Sequence, residues 1–379
     1  MLSLRILLLS SNTGEGHNST AKAVMDVLEA RGIACEMRDV LACLSEKFSK
    51  FVCNWHVRLY KYGPALFDAG YRVLDRANAE PNETTPLYEL LALGAEKLRD
   101  MILEGNFDVV ICVHVFSGMM VTEVRRKYGL RLPCYFIATD YSCAPFTEQC
   151  EMDGYFIPSA NLVAEFAAHG LPRERLIPSG IPVRQAFYSK LPKAEARQAL
   201  ELPGEGPVVL LMCGSMGCGP MRRLARELTE RIPTGGMLVT VCGRNEKLYD
   251  SLSDLSDPRL RLLGYTTQIP EYMDAADLVV TKPGGLSSTE AGCKHLPMVF
   301  INAIGGCEAR NFEIFLEEGY AVGSKNAEDV VELVTELLHS PERLTRMRQA
   351  LERSFTTNAA ESIADYAIRA GEKYLTVSG

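Results

Sequence analysis

Residues 207–231 read PVVLLMCGSMGCGPMRRLARELTER, and this stretch decides the fold of the second half of the chain. The apolar run at 207–213 predicts a buried strand, and residues 222–231 have the periodicity of a helix. Three glycines between them let the backbone turn tightly. An apolar strand that passes through a glycine turn into a helix is typical of parallel sheets covered by helices on both faces.

The same pattern recurs along the whole chain. We predict strands at 4–10, 108–114, 133–139, 154–157, 207–213, 237–242, 260–263, 278–281 and 298–302. We predict helices at 19–31, 85–103, 118–128, 222–231 and 341–375. Strands that alternate with helices indicate an α/β fold of two Rossmann-like, doubly wound domains facing a shared cleft.

The domain boundaries follow from a polar, proline- and glycine-containing stretch at 187–206. We predict a first domain at 1–186, a linker at 187–206, a second domain at 207–355 and a C-terminal helix at 356–379 that crosses back to the first domain. A chain of 379 residues is too long for one ordinary core, and two domains suit its length.

Composition excludes several classes of protein. No run reaches the ~18 apolar residues that span a bilayer, so any membrane contact is expected to be peripheral. Residues 2–10 read as a first buried strand and not as a signal peptide.

The formal net charge of −8 argues against a nucleic-acid partner. Scattered cysteines without zinc spacing predict reduced core residues in the cytoplasm, among them Cys112, Cys134, Cys213 and Cys242.

The first strand is followed by residues 11–19, SNTGEGHNS, and then by a helix. Gly14 and Gly16 bring backbone N–H groups close to a bound group. The positive end of the helix disfavours a protonated His17, which would leave a neutral imidazole available as a base. The alternative is an ordinary turn that His17 caps.

The glycine loop after residues 207–213 is the first of three in the second half. Backbone amides there, at Gly214, Ser215, Met216, Gly217 and Gly219, suit a diphosphate. The loop lacks the GK[ST] ending of a Walker A motif.

The second glycine loop, TKPGGLSSTEA at 281–291, turns at Gly284 and Gly285. Ser287, Ser288 and Glu290 are predicted in the first helical turn. A carboxylate at Glu290 can accept both vicinal hydroxyls of a ribose. The alternative is a capping box, with Ser287 as the N-cap and Glu290 three residues later.

The third loop, residues 302–311, places Glu308 and Asn311 one turn apart at a helix start, where both could reach hexose hydroxyls. Three glycine-marked loops in one domain together predict a binding site for a nucleotide diphosphate.

Several motifs together resemble the monogalactosyldiacylglycerol synthase and processive diacylglycerol glucosyltransferase family. They are TGEGH at 13–17, ATDY at 138–141, GIPVRQAF at 180–187, GYTTQIPEYMDAADLVVTKPGGLSSTEA at 264–291, EARN at 308–311 and the glycine loop at 214–219. More distantly, they resemble the N-acetylglucosaminyltransferase that completes the lipid-linked peptidoglycan precursor. The resemblance extends over residues 4–322 and implies the GT-B architecture of family 28-like glycosyltransferases.

The resemblance also implies roles for single residues. His17 would lie near the acceptor hydroxyl, and Asp140 would orient His17 or act as the base itself. In the donor site, Glu290 would bind the ribose and Gly217 the diphosphate. Glu308 and Asn311 would bind the sugar. It implies inverting transfer with no cofactor and no catalytic metal, the UDP-sugar being a substrate. Many family members carry a histidine where this chain has residues 142–146, SCAPF.

A candidate membrane contact lies at residues 47–62, KFSKFVCNWHVRLYKY. On a helix, Trp55 falls on an apolar stripe, and Lys50 and Arg58 lie beside it, as in interfacial helices. The alternative is a surface helix that packs this stripe into the core.

We therefore expect a UDP-sugar-dependent hexosyltransferase that acts in glycolipid synthesis. The expected acceptor is a membrane lipid, diacylglycerol, and the expected location is the cytoplasm, peripherally at the inner face of the cell membrane. The alternatives are a UDP-N-acetylglucosamine transferase acting on a lipid-linked cell-wall precursor, a UDP-sugar 2-epimerase and a non-catalytic UDP-sugar-binding module.

Overall fold

The computed structural model describes residues 4–11, 15–53, 85–214, 219–255, 257–301 and 306–378. The chain forms two compact units. The first is built from the described parts of residues 1–184, 305–307 and 357–379, and the second from those of residues 185–304 and 308–356.

Each unit contains a six-stranded parallel sheet. The sheet of the first unit has the order β2-β1-β3-β4-β5-β6. Its strands are β1 (Arg5–Ser10), β2 (Ala34–Asp39), β3 (Val109–Cys112), β4 (Cys134–Ile137), β5 (Gly154–Ile157) and β6 (Leu176–Pro178). The sheet of the second unit has the order β12-β11-β10-β7-β8-β9. Its strands are β7 (Val208–Met212), β8 (Met237–Val241), β9 (Leu260–Leu263), β10 (Leu278–Thr281), β11 (Met298–Ile301) and β12 (Ala321–Ser324).

Helices connect the strands in both units. The first unit contains α1 (Glu15–Ala30), α2 (Pro86–Ala92), α3 (Ala95–Glu104), α4 (Val115–Tyr128) and α5 (Val163–Ala168), and residues 46–53 are also helical. The second unit contains α6 (Lys193–Ala199), α7 (Met221–Arg231), α8 (Glu246–Ser253), α9 (Ile269–Ala275), α10 (Gly285–Cys293), α11 (Cys307–Glu317), α12 (Ala327–Leu338) and α13 (Pro341–Ser354). The last helix, α14 (Ala359–Ser378), belongs to the first unit.

The predicted fold class is confirmed, and every predicted strand is present. Strands β2, β6 and β12 could not be predicted from their sequence, and each of these lies at the edge of its sheet. Edge strands are covered on fewer sides, so they need no continuous apolar run. The strand ACEMRD, for example, is half-exposed along most of its length.

Two predicted helices are each divided in the structure. The predicted helix at 85–103 is α2 and α3, which meet at Gly94. The predicted helix at 341–375 is α13 and α14, which are separated by residues 355–358. Phe355 fills that break and packs its ring over Gly292 of α10, where even an added Cβ would lie 2.5 Å from the ring. After the break, Asn358 caps the next helix, since its Oδ1 accepts a hydrogen bond from the N–H of Glu361 at 3.2 Å.

The C-terminal helix returns to the first sheet, as predicted. The buried residues Ala360, Ile363, Ala364 and Ala367 follow the spacing of one helical face and join the core around β1 and β3. Gly371 allows the helix backbone to lie against this sheet, since a Cβ there would be 2.3 Å from Leu4 Cδ1.

A buried arginine ties α6 to the second sheet. Arg197 donates from Nη2 to Asp277 Oδ2 at 2.9 Å and from Nε to the carbonyl of Ala275 at 3.0 Å. Asp277 precedes β10 and also accepts hydrogen bonds from the backbone of Val208 and from Lys193 Nζ. This part of the predicted linker is thus an integral element of the second unit.

Most of the cysteines serve as small core residues. The described cysteines are free thiols, and the four that the sequence analysis singled out are buried. Burial raises the pKa of Cys112 to about 12, so its thiol stays protonated at neutral pH.

Candidate active site

The two residues predicted for catalysis, His17 and Asp140, follow the carboxyl ends of β1 and β4, and the end of β3 lies between these strands. Strand order changes direction between β1 and β3, and in doubly wound sheets ligands bind beside such a point. A hydrogen bond from Ser10 Oγ to Asn18 Oδ1, 2.6 Å long, ties the start of α1 to the end of β1. The helix start that carries His17 is therefore fixed to the sheet.

His17 is half-buried in the first turn of α1, and its Nδ1 lies 2.8 Å from the carbonyl oxygen of Val113. A carbonyl oxygen only accepts hydrogen bonds, so Nδ1 must carry the proton. In the neutral ring, Nε2 then holds the lone pair. Thr139 Oγ1 lies 3.2 Å from the same Nδ1 and shares in this interaction. The surroundings of His17 thus select the tautomer that a general base at Nε2 requires.

A second histidine adjoins the first, and the sequence analysis did not identify it. His114 and His17 have ring centroids 4.6 Å apart with an interplanar angle of 76°. His114 is the N-cap of α4, and its Nδ1 accepts a hydrogen bond from the backbone N–H of Phe116 at 3.1 Å. Its position at the end of the predicted strand 108–114 was the available signal, because that end points toward the ligand edge of a parallel sheet.

Asp140 follows Thr139 in the bend after β4, and its side chain is half-buried. The structure therefore brings the TDY motif to the same edge of the sheet as His17. The loop that continues from it contains Phe146, which has a φ of +69° and is buried. A bulky residue in the left-handed region is strained, and such strain persists only where the surroundings enforce it.

The glycine loop after β7 has the expected backbone character at both ends. Gly214 has a φ of +69° and Gly219 a φ of +107°, which other residues rarely adopt. Ser215, Met216 and Gly217, which were also predicted to bind the donor, lie outside the described residues. Helix α7 begins just after this loop without a side-chain cap at its first turn.

The helix after β10 begins earlier than either of the two predictions for this loop requires. Helix α10 begins at Gly285, and its N-cap is Gly284, so the capping box with Ser287 as the N-cap is wrong. Glu290 consequently lies in the second turn of α10, where it is half-buried, and not in the first turn. A Cβ added to Gly284 would meet no atom within 4 Å, so open space adjoins the uncapped helix start. Ser288, in contrast, is fully buried.

The third loop is joined to the second by Asn311. This side chain is fully buried in α11, and its Nδ2 donates to the carbonyl oxygen of Pro283 at 2.9 Å. Glu308 is half-buried in the first turn of the same helix, after Gly306 with a φ of +73°. The structure therefore places the first turns of α11 beside the loop after β10, with the amide of Asn311 joining them.

The residues predicted for the acceptor and the membrane are described only in part. Gly16 lies in the first turn of α1 with open space at its Cα. Lys50 and Phe51 are exposed on the helical residues 46–53, and Phe51 is 63% exposed. Gly14, Trp55 and Arg58 lie outside the described residues.

Two further observations concern metals and membranes. In the described ranges, no group of three or more histidine, cysteine and acidic side chains is arranged to hold a metal ion. No helix within the same ranges has both the length and the apolar character that crossing a membrane requires.

Comparison with known proteins covers almost the entire chain. Residues 17–183 match the family model of monogalactosyldiacylglycerol (MGDG) synthase, and residues 208–363 match that of the glycosyltransferase family 28 C-terminal domain. The processive diacylglycerol beta-glucosyltransferase of Bacillus pumilus (strain SAFR-032) is 27% identical over 95% of this chain and 94% of its own length. The enzyme of the same name from Bacillus subtilis (strain 168) is 25% identical over 97% and 96%.

Solved structures share the fold at low sequence identity. MurG of Acinetobacter baumannii has a TM-score of 0.65 and 14% identity, covering 97% of this chain and 99% of its own. The UDP-GlcNAc 2-epimerase from Neisseria meningitidis, bound to UDP-GlcNAc, has a TM-score of 0.62 and 14% identity, covering 96% and 99%. At this identity the likeness concerns the fold alone.

Proposed function

We propose that the chain transfers a hexose from a UDP-sugar to diacylglycerol, because its two halves match the models of monogalactosyldiacylglycerol synthase and of the glycosyltransferase family 28 C-terminal domain, and its curated relatives are named processive diacylglycerol beta-glucosyltransferases. The transfer inverts the configuration of the anomeric carbon. The observation that carries the proposal is the fixed tautomer of His17, within the part of the chain that matches the synthase model. A base of this kind is what an acceptor hydroxyl needs in order to attack.

The reaction is a direct displacement. Nε2 of His17 takes the proton from the lipid hydroxyl while the hydroxyl oxygen forms a bond to the anomeric carbon. The bond from that carbon to the β-phosphate oxygen breaks, and its electron pair leaves with UDP. Val113 and Thr139 hold Nδ1, so the imidazolium formed keeps its orientation. Asp140 is the alternative base, and its substitution separates the two assignments.

The leaving diphosphate gains negative charge as the bond breaks. Helices α7 and α10 begin after the glycine loops without a side-chain cap. The backbone N–H groups of their first turns and the positive ends of their dipoles can therefore stabilise the leaving diphosphate. These groups supply charge stabilisation without a metal ion. Transfer that continues at an unchanged rate in excess EDTA is the expected result, and loss of activity that Mg²⁺ or Mn²⁺ restores would contradict it.

Donor recognition is divided among the three loops. The carboxylate of Glu290 accepts hydrogen bonds from the ribose hydroxyls, and that of Glu308 contacts the transferred sugar. Asn311 is buried and acts on the donor by positioning the loop after β10, through its hydrogen bond to the carbonyl of Pro283. Its predicted place at the donor site is retained, but as a positioning residue. Ser288 is also buried, and its hydroxyl has no hydrogen-bond partner among the described residues, so we assign it no contact with the donor.

Access to diacylglycerol requires contact with the membrane surface. We assign this contact to residues 47–62, at the cytoplasmic face, and the exposed Lys50 and Phe51 support the assignment. Lys50→Glu combined with Arg58→Glu is expected to reduce binding to vesicles that contain anionic lipid. Lys373→Glu is the control, because it reverses the charge of an exposed lysine outside residues 47–62. Unchanged vesicle binding would remove residues 47–62 from the proposal.

The function is tested by incubating the full chain with labelled UDP-glucose, UDP-galactose or UDP-N-acetylglucosamine and diacylglycerol in mixed micelles. The expected product is a glycosyldiacylglycerol in which the anomeric carbon of the sugar has the configuration opposite to that in the donor. Release of free epimerised sugar without a lipid acceptor would contradict the proposal, and so would transfer to a lipid-linked cell-wall precursor but not to diacylglycerol.

A further inference from the structure

Helix α10 has the proposed donor loop at its start, and the other end of the helix contacts both ends of the second unit. The helix ends at Cys293. Apart from residues 305–307, the second unit runs from residue 185 to residue 356, and the chain passes to the first unit at both of these ends. Side chains and backbone groups from both ends meet the residues that follow α10.

A buried ion pair fixes the beginning of the unit to this end of α10. Lys294 Nζ lies 2.6 Å from Asp274 Oδ2 of α9, and the two side chains are only 2% and 5% exposed. Lys294 Nζ also donates to the carbonyl oxygen of Ser189, and the backbone N–H of Leu191 donates to Asp274 Oδ2 at 3.2 Å. Residues 189–191 are therefore held against α9 and the end of α10.

His295 occupies a backbone position that usually belongs to glycine. Its φ is +53°, in the left-handed region. Its N–H donates to the carbonyl of Gly292 at 2.9 Å, and that of Leu296 donates to the carbonyl of Ala291 at 2.9 Å, which is the pattern of a Schellman cap. A side chain at this position of the cap is strained. Such strain persists where the side chain has a role that glycine cannot fill.

The imidazole of His295 joins the two ends of the unit. Lys190 Nζ lies 2.6 Å from its Nδ1 and 2.9 Å from its Nε2. The ring also forms a hydrogen bond with the backbone of Phe355. The N–H of Phe355 already donates to the carbonyl of Leu351, so the carbonyl oxygen of Phe355 is the partner of the ring. We call these contacts of the ring with Lys190 and Phe355 the His295 bridge.

The His295 bridge requires a neutral ring. An ammonium group only donates hydrogen bonds and a carbonyl oxygen only accepts them, so the ring must offer one lone pair and one N–H. A protonated imidazole has two N–H groups and no lone pair. Protonation would therefore remove the acceptor of Lys190 and place a second positive charge beside it.

The surroundings of His295 favour the neutral form. Burial and the positive charge of Lys190 lower the pKa of His295 below its ordinary value, against the opposing effects of the Phe355 backbone and of Glu352, whose Oε1 lies 3.8 Å from Nδ1. The charged or titratable side chains that act on Lys190 are Glu352, Cys293, Asp274 and Lys294. Only the imidazole in this group has an ordinary pKa between 5 and 8.

We propose that His295 is a positioning residue of the donor site, a neutral imidazole that holds both ends of the second unit against α10 and releases them when it is protonated. The inference rests on the proposed UDP-sugar donor, because the donor acts at the other end of α10, where Glu290 and the uncapped helix start lie. A helix whose end is released holds its first turns less firmly. Donor binding is therefore expected to weaken as pH falls, independently of the protonation of His17.

Thermal melting of the full-length protein tests the His295 bridge without any ligand. His295→Gly removes the ring together with the strain of the left-handed backbone. If the ring had no role, this variant would melt about 2–4 °C above the wild type at every pH. We expect it to melt below the wild type at pH 7.5 and to reach or exceed the wild type at pH 5.5.

The pH dependence follows from the lowered pKa of His295. The folded-state pKa lies below the unfolded-state value of about 6.5, so the stabilisation is complete above that value and is lost as pH falls through the folded-state value. A difference in melting temperature between His295→Gly and the wild type that is the same at both pH values, whatever its sign, would overturn the proposal.

UDP binding, measured by calorimetry, tests the connection with the donor site. The wild type is expected to bind UDP about two- to tenfold more tightly than His295→Gly at pH 7.5 and to lose this advantage at pH 5.5. KM for the UDP-sugar is expected to rise in the variant by the same factor, with kcat little changed. His295→Gln keeps an acceptor and a donor but does not titrate, so its UDP affinity is expected to match that of the wild type at pH 7.5 and to remain at pH 5.5.

His339→Asn is the matched control. His339 is an exposed histidine of the same unit, at the end of α12, and its Nδ1 lies 2.8 Å from the carbonyl of Thr335. Equal UDP affinity of His295→Gly and the wild type at pH 7.5 would overturn the positioning role, and so would an equal loss in His339→Asn. A wild-type protein that binds no UDP refutes the proposed donor, whereas the melting experiment still decides whether the His295 bridge exists.

Discussion

Replacing His17 with asparagine separates its structural contact from its proposed role as a base. The asparagine amide occupies the position of Cγ and Nδ1 in histidine, so its N–H can still donate to the carbonyl of Val113, which the wild type does at 2.8 Å. It has no atom in the place of Nε2. We therefore expect His17→Asn to fold like the wild type and to lose the proton acceptor.

The size of the expected effect follows from the role of a general base. Such a group contributes roughly 10²- to 10⁴-fold to the rate, which corresponds to about 3–5 kcal/mol of activation free energy. KM for the UDP-sugar is expected to remain unchanged, because the side chains assigned to the donor, Glu290 and Glu308, belong to the second unit and His17 to the first. The decline of wild-type activity at acidic pH, where the base is protonated, is expected to disappear in the variant.

The assay is transfer of labelled hexose to diacylglycerol at saturating donor, over a range of pH. His169→Asn is the matched control, since Nδ1 of His169 also lies close to a backbone carbonyl, that of Glu165 at 2.9 Å, but the residue is exposed at the end of α5. A His17→Asn enzyme that keeps a tenth or more of wild-type kcat would refute the assignment. If Asp140→Asn alone abolishes the acidic limb, Asp140 is the base.

Three further predictions concern the second unit. Gly292→Ala is expected to lower the free energy of unfolding by about 1–3 kcal/mol in urea titrations, because the new Cβ would lie 2.5 Å from the ring of Phe355. Asn311→Ala leaves the carbonyl of Pro283 without its amide donor, and steady-state kinetics are expected to give a higher KM for the UDP-sugar. Burial alone would raise the pKa of Asp277, but hydrogen bonds and positive charges from its basic neighbours lower it below its ordinary value. Its stabilisation is therefore complete above the unfolded-state pKa of about 3.9 and is lost as pH falls through the folded-state value, so urea titrations of Asp277→Asn are expected to depend less on pH below about 4.

Each of these predictions has a control or a contrary outcome. Gly204→Ala is the control for Gly292→Ala, because a Cβ at Gly204 meets no atom within 4 Å. An Asn311→Ala enzyme with an unchanged donor KM would show that the loop after β10 needs no support from α11. If Asp277→Asn and the wild type lose stability in parallel between pH 5 and the acid limit of about pH 2, the depressed pKa of Asp277 is refuted.

Eight of the nine strands predicted from their apolar runs lie inside the two sheets, where a strand is covered on both faces and must be apolar. The ninth, β9, lies at an edge and was predicted because it still carries a short leucine-rich run. The other edge strands, β2, β6 and β12, were not predicted, because an edge strand needs no such run. The break between α13 and α14 has a different origin, because Asn358 is a local N-cap signal with Glu361 three residues later. The Oδ1 of Asn358 accepts a hydrogen bond from the N–H of Glu361 at 3.2 Å, whereas the packing of Phe355 on Gly292 is visible only in the structure.

The residues of the candidate site also fall into those that could be identified from the sequence and those that required the structure. The glycines at 214, 219 and 284 and the acidic residues Glu290 and Glu308 could be identified from sequence, because a strand–glycine–helix pattern is local. The first turn of α10 could not be assigned correctly, since both Gly285 and Ser287 are compatible with a helix start and packing decides between them. His114 and Thr139 could not be assigned to His17, because they are 97 and 122 residues distant along the chain.

By itself, the sequence determined the two doubly wound units and the loops in which their ligand groups lie, because strand and helix periodicity and glycine turns are properties of short segments. Only the tertiary structure decided which nitrogen of His17 carries the proton. That choice depends on the carbonyl of Val113, which β3 brings to within 2.8 Å of a helix that begins nearly one hundred residues earlier. A proton on an imidazole is placed by the partner it meets, and pairing between distant strands supplies that partner.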